Sequence, residues 1–73
     1  MTLDTANKGM IYRVEIVDID IAIKRRLEAL GLTNGTKVKV LNRNSSGSVI
    51  FMVRGSRLAI GKHIAESIKI QGE

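Results

Sequence analysis

Few side chains in this sequence could carry out a reaction, and their spacing argues against one. His63 is the only histidine and there is no cysteine. No histidine pair stands at metal-ligand spacing, and no thiolate site can form. A Ser–His–acid relay would depend on that one imidazole, and no serine sits in a nucleophile elbow. Asp18 and Asp20 could offer oxygens to a hard cation. They stand where a strand pattern gives way to a helix pattern, and there a carboxylate caps free N–H groups and suits the helix dipole. Gly31, Gly35, Gly47, Gly55 and Gly61 fall in separate turns, and no phosphate-cradling P-loop pattern occurs. The residues therefore indicate a non-catalytic protein with no catalytic residue, no metal site and no cofactor.

The informative residues lie on a hairpin. Residues 36–43 and 48–54 alternate apolar and polar side chains, and Asn44-Ser45-Ser46-Gly47 separates them, so the two strands should pair. A symmetric turn sets residue 43 opposite 48. Asn42–Val49, Val40–Phe51 and Val38–Val53 then share the core face. The opposite face pairs Leu41 with Ile50, Lys39 with Met52 and Lys37 with Arg54. Leu41, Ile50 and Met52 make an apolar cluster on the side that ought to be wet, and Lys37 and Arg54 are opposed like charges that cost stability. Either the helix at 20–30 covers the cluster, or the face is a docking patch with an apolar centre and a basic rim. Lys37, Lys39, Leu41, Ile50, Met52 and Arg54 are on that account the candidate partner-binding residues.

The elements that must position this face follow from periodicity. Residues 10–17 read as a half-buried strand, with Tyr12, Val14 and Ile16 on one side and Arg13 and Glu15 on the other. Asp20 caps a short helix whose apolar positions are Ile23, Leu27 and Leu30, and Gly31 supplies its left-handed terminator. After the hairpin, Gly55-Ser56 makes a turn and residues 57–60 a strand. Residues 62–66 give one helical turn and residues 67–70 a last strand. The expectation is a mainly β fold of about five strands with one short helix after the first strand, closed into a small barrel so that no sheet edge is left open. Leu27, Leu30, Val38, Val40, Phe51 and Val53 should form its core. Residues 1–8 read as a flexible terminus and 9–73 as a single domain.

Size and charge bound the function. A chain of 73 residues supports one core and no second domain. No apolar run approaches the ~20 residues of a membrane helix, and the polar N-terminus has no signal region, so a cytoplasmic protein is expected. Twelve Lys and Arg against seven Asp and Glu give +5, a positive field that could draw nucleic acid, an anionic membrane or an acidic protein face. Small basic barrels that bind nucleic acid stack bases on exposed aromatics. Here Tyr12 and Phe51, the only aromatics, are assigned to the interior. Nucleic acid is the alternative partner and the less favoured one.

Residues 26–38, Arg-Leu-Glu-Ala-Leu-Gly-Leu-Thr-Asn-Gly-Thr-Lys-Val, resemble the R-L-x-x-L-G-[IL]-x-x-G-x-x-V pattern of FeoA proteins. Residues 53–61 resemble that family's V-x-G-x-x-[IL]-A-[IL] segment, and residues 65–70 its A-x-x-I-x-V ending. The likeness runs from about Met10 to Ile70 and departs at Asn34, where proline is common, and at Gly61. It implies an SH3-like barrel. It also implies an accessory role in ferrous iron uptake through contact with a FeoB-type membrane transporter carrying a GTP-binding domain. The chain would then be cytoplasmic and peripheral to the inner membrane through that partner, with weak self-association held open. The same module resembles the C-terminal domain of metal-dependent repressors of the diphtheria-toxin-repressor type, so a free-standing regulatory domain is the second alternative. With no DNA-binding helical domain ahead of it, the transport accessory is preferred.

Overall fold

The computed structural model describes residues 1–72. A single 3-10 turn at Leu3–Thr5 precedes β1 (Ile11–Val17), α1 (Ile21–Ala29), β2 (Lys37–Arg43), β3 (Val49–Val53), β4 (Ser56–Ile60), α2 (Lys62–Ala65) and β5 (Ile68–Gly72). The strands form one antiparallel sheet in the order β4-β3-β2-β1-β5. The sheet wraps a single, mostly aliphatic core to which every strand contributes, with Phe51, Leu3, Leu32 and Ile68 fully buried. Among the described residues no ladder joins β4 to β5, so the barrel is not closed by hydrogen bonds as the sequence suggested. α2 links the end of β4 to the start of β5 and inserts Ala65 into the core.

The helix is built as its sequence dictates. The Asp20 carboxylate accepts from the Ala22 N–H at 2.8 Å, capping the first turn. At the other end Gly31 takes φ +102. The Gly31 N–H bonds Glu28 O at 3.0 Å and the Leu32 N–H bonds Leu27 O at 3.0 Å, a full Schellman closure. This geometry corrects one core residue. The reversal at Gly31 lays Leu32 against Leu27 and leaves Leu30 outside, 46% exposed, although helical spacing had placed Leu30 in the core. Ile23 packs at the edge of the same cluster.

Two bulges change the strand registers. In β1, Val14 faces Ile70 but Ile16 faces Lys69, so an extra residue near Glu15 reverses the alternation. Ile16 therefore turns outward and Val17 inward, against the expectation for Ile16. In the β2–β3 hairpin Lys39 faces Met52 and Val40 faces Phe51 as expected, but Asn42 faces Ile50 and Arg43 faces Val49. Leu41 is the extra residue, so it does not pair with Ile50, nor Asn42 with Val49.

The N-terminus is part of the fold. Leu3 and Ala6 are fully buried. Met1 O accepts from the Ile70 N–H at 2.9 Å, and Thr2 bridges Lys69, so the chain start lies along the outer edge of β5. The hydroxyl of the buried Tyr12 accepts from the Asn7 N–H at 2.8 Å, which satisfies the one polar atom that side chain carries inward. The flexible terminus expected over 1–8 is thus corrected. Two apolar residues three apart in a polar stretch suffice to plug the barrel end through one 3-10 turn.

Candidate functional site

The face of the sheet away from the core is organised in cross-strand rows. One row runs Ile11–Lys39–Met52–Arg57 across β1, β2, β3 and β4. A second runs Asn42–Ile50–Ala59 across β2, β3 and β4. A third pairs Arg13 with Lys37, with Gln71 beside Arg13 on β5. Met52 is 37% exposed and Ile11 44%, and Ile50 is half-buried. Large apolar side chains therefore alternate with cations along the middle row. Their neighbours in the chain, Phe51 and Val53 beside Met52 and Val38 and Val40 beside Lys39, are all buried on the opposite side.

The helix does not cover this face. Its buried residue, Leu27, and its half-buried Ile23 join the cluster that contains Val38, Val40, Phe51 and Val53, on the other side of the hairpin. The candidates are not all brought together. Lys39, Ile50 and Met52 are adjacent on the outer face, Leu41 is displaced by the bulge and is half-buried, and Lys37 stands one row away.

Arg54 leaves the strand altogether. It adopts φ +48 and Gly55 φ +80, which makes Arg54-Gly55 the two-residue turn between β3 and β4, in place of the expected Gly55-Ser56. The side chain then folds away: Arg54 Nε donates to Gly31 O at 3.2 Å at the end of α1. A cation there suits the negative end of the helix and offsets the cost of a left-handed non-glycine residue. Lys37 accordingly faces Arg13 and not Arg54.

Ile11, Arg57 and Ala59 belong to the same face and were not singled out from the sequence. The alternation that put Arg13 outward puts Ile11 outward too, and continuing the hairpin register through a two-residue turn finds Arg57 and Ala59. A cleft of about 170 Å³ opens at the turn end of the face, lined by residues of the 42–44 and 48–50 segments and by Ala59. As for metal ligands, His63 is exposed on α2 and Asp20 is engaged as a cap. Among the described residues no group of three or more His, Cys, Asp or Glu side chains converges. Nor is any helix among them long and apolar enough to cross a membrane.

These features define a small SH3-like barrel with an apolar and basic outer sheet face. A family model of the FeoA domain matches residues 1–72, and the chain belongs to the FeoA family. It is 35% identical over 66 residues, 90% of this chain and 79% of its relative, to a Methanocaldococcus jannaschii protein provisionally named Fe(2+) transport protein A. The solution structure of the FeoA protein from Chlorobium tepidum superposes with a TM-score of 0.90 at 32% identity, covering 99% of this chain and 70% of that one. A manganese-dependent transcriptional repressor contains the same fold, with a TM-score of 0.88 at 17% identity over 100% of this chain and 41% of the repressor.

Proposed function

We propose that this chain is a non-catalytic cytoplasmic accessory of ferrous iron uptake that docks on a FeoB-type membrane transporter bearing a GTP-binding domain. Membership of the FeoA family and the name of the archaeal relative support the pathway. The observation that carries the docking reading is Met52. A flexible apolar side chain stands on an uncovered face between Lys39 and Arg57, with the whole core behind it. An apolar centre supplies desolvation energy on association, and a basic rim steers an acidic partner and fixes its orientation. The docking face centres on Lys39, Ile50 and Met52, with Arg57 beside Met52 and Lys37 one row away; Leu41 is set off by the bulge, and Arg54, held at Gly31, lies outside it. Its chemistry is contact, so the chain acts by favouring one state of the transporter over another.

The test is co-purification of the tagged chain with the detergent-solubilised transporter. Met52→Asp should abolish association while circular dichroism melts stay close to the parent. Lys37→Glu should weaken association in a salt-dependent way. A folded Met52→Asp variant that associates with parental affinity eliminates this face.

A further inference from the structure

We infer that the outer edge of β4 takes up an extended acidic segment of a protein partner as an added strand, with an apolar side chain beside Ala59 and a carboxylate beside Arg57. This rests on the reading of the outer face as a docking surface and adds how the partner is held.

The hydrogen-bonding direction of β4 follows from its turn. Arg54 and Gly55 both have positive φ, a type I′ geometry in which the flanking residues, Val53 and Ser56, exchange both ladder bonds. Bonded pairs then recur at Phe51–Leu58 and Val49–Ile60. The N–H and C=O groups of Arg57 and Ala59 consequently aim away from β3. β4 ends the sheet, and no backbone group of the described residues outside the sheet ladders bonds to either residue. Two donors and two acceptors at two-residue spacing are a template for an incoming strand. The opposite edge is different, because Met1 and Thr2 already lie along β5.

The side chains specify the occupant. In an antiparallel addition, the residue opposite Ala59 and the residue two positions later, opposite Arg57, both project on the outer face. The first meets the 170 Å³ cleft, where Ile50 and Ala59 are among the lining residues, so it is apolar. The second meets Arg57, which stands next to Met52 and, one strand further, Lys39, so it is acidic. The segment therefore reads apolar, any residue, acidic. A second copy of this chain is disfavoured, since it carries a net charge of +5 and its own β4 would bring another Arg57 to the edge.

The probe is a blocked eight-residue peptide of alternating threonine and valine with leucine at its fourth position and glutamate at its sixth. Titrated into the ¹⁵N-labelled chain, it should shift the Arg57 and Ala59 amides and slow their exchange with solvent at least tenfold. Replacing the glutamate by lysine should weaken binding at least tenfold. Ala59→Pro removes the outward N–H without taking a ladder bond from β3, as an edge strand tolerates, and should abolish binding. Arg57→Glu, which leaves the backbone untouched, should reverse the preference between the two peptides. Saturation without change at these two amides overturns the inference. So does slowed exchange that appears with chain concentration alone, which would show a second copy in place of the peptide. With the transporter itself, loss of co-purification in both Ala59→Pro and Met52→Asp supports the edge. Loss in Met52→Asp alone overturns it and leaves the docking face standing, and loss in neither removes both.

Discussion

Phe51 and Met52 are neighbours in β3 and stand on opposite faces of it, which makes them a sharp test of the architecture. Phe51 is the largest of the fully buried side chains. Truncation of such a residue to alanine removes its transfer free energy and leaves a cavity, a loss of about 3–5 kcal/mol. A domain of 73 residues has a total stability of roughly 4–11 kcal/mol at the usual 0.05–0.15 kcal/mol per residue. Phe51→Ala should therefore consume a large part of what the fold has. With a urea dependence of about 1 kcal/mol per molar for so small a domain, the midpoint should fall by about 3–5 M. In practice much of the folded baseline would disappear. Met52→Asp, at a side chain flanked by Lys39 and Arg57, should change stability by no more than about 1 kcal/mol. The assay is equilibrium urea unfolding of both variants, followed by far-ultraviolet circular dichroism. A Phe51→Ala midpoint within about 1 M of the parent, or a Met52→Asp loss as large as that of Phe51→Ala, would refute the assignment of the two faces.

Three further outcomes are expected. Leu32→Ala should cost about 2–5 kcal/mol and Leu30→Ala under about 1 kcal/mol, and thermal melts showing the reverse order would contradict the Schellman reversal at Gly31. Leu3→Ala should also cost about 2–5 kcal/mol, and a change below about 0.5 kcal/mol would mean that the first residues do not plug the barrel. Anaerobic calorimetric titration with Fe(II) should show no stoichiometric site of micromolar affinity, because the described residues converge no set of metal ligands, and such a site would sink the contact-only mechanism.

Much of this was legible because certain residues have few uses. Asp20 ahead of an apolar period and Gly31 after it bound α1, and the structure places both as caps. The core half of the hairpin was legible because Val38, Val40, Phe51 and Val53 alternate strictly with polar or exposed residues. The bulges were not. Ile16 and Val17 are equally apolar and β-branched, so either can face inward, and only pairing with β5 decides. Leu41 is apolar in either phase, so the slip at the end of the hairpin leaves no mark in the pattern. Arg54 was read as strand because the usual first residue of a type I′ turn is Asn, Asp or Gly. What permits arginine there is a carbonyl more than twenty positions earlier, at Gly31. The outward position of Lys39 and Met52 was thus legible, while the margin of that face depended on long-range geometry.

The position of Met1 and Thr2 along β5 also sets how many bonds this molecule can form in the direction of sheet growth. A sheet free at both ends has a valence of two, and such units can join in unlimited rows, which is how fibres grow. Here the chain's own first residues occupy one end and leave a valence of one. A second copy that joined β4 through its own β4 would use the free edge of both chains, so that assembly stops at a pair. Such a pair presents outward only its two β5 edges, each already met by Met1 and Thr2 at Ile70 and Lys69.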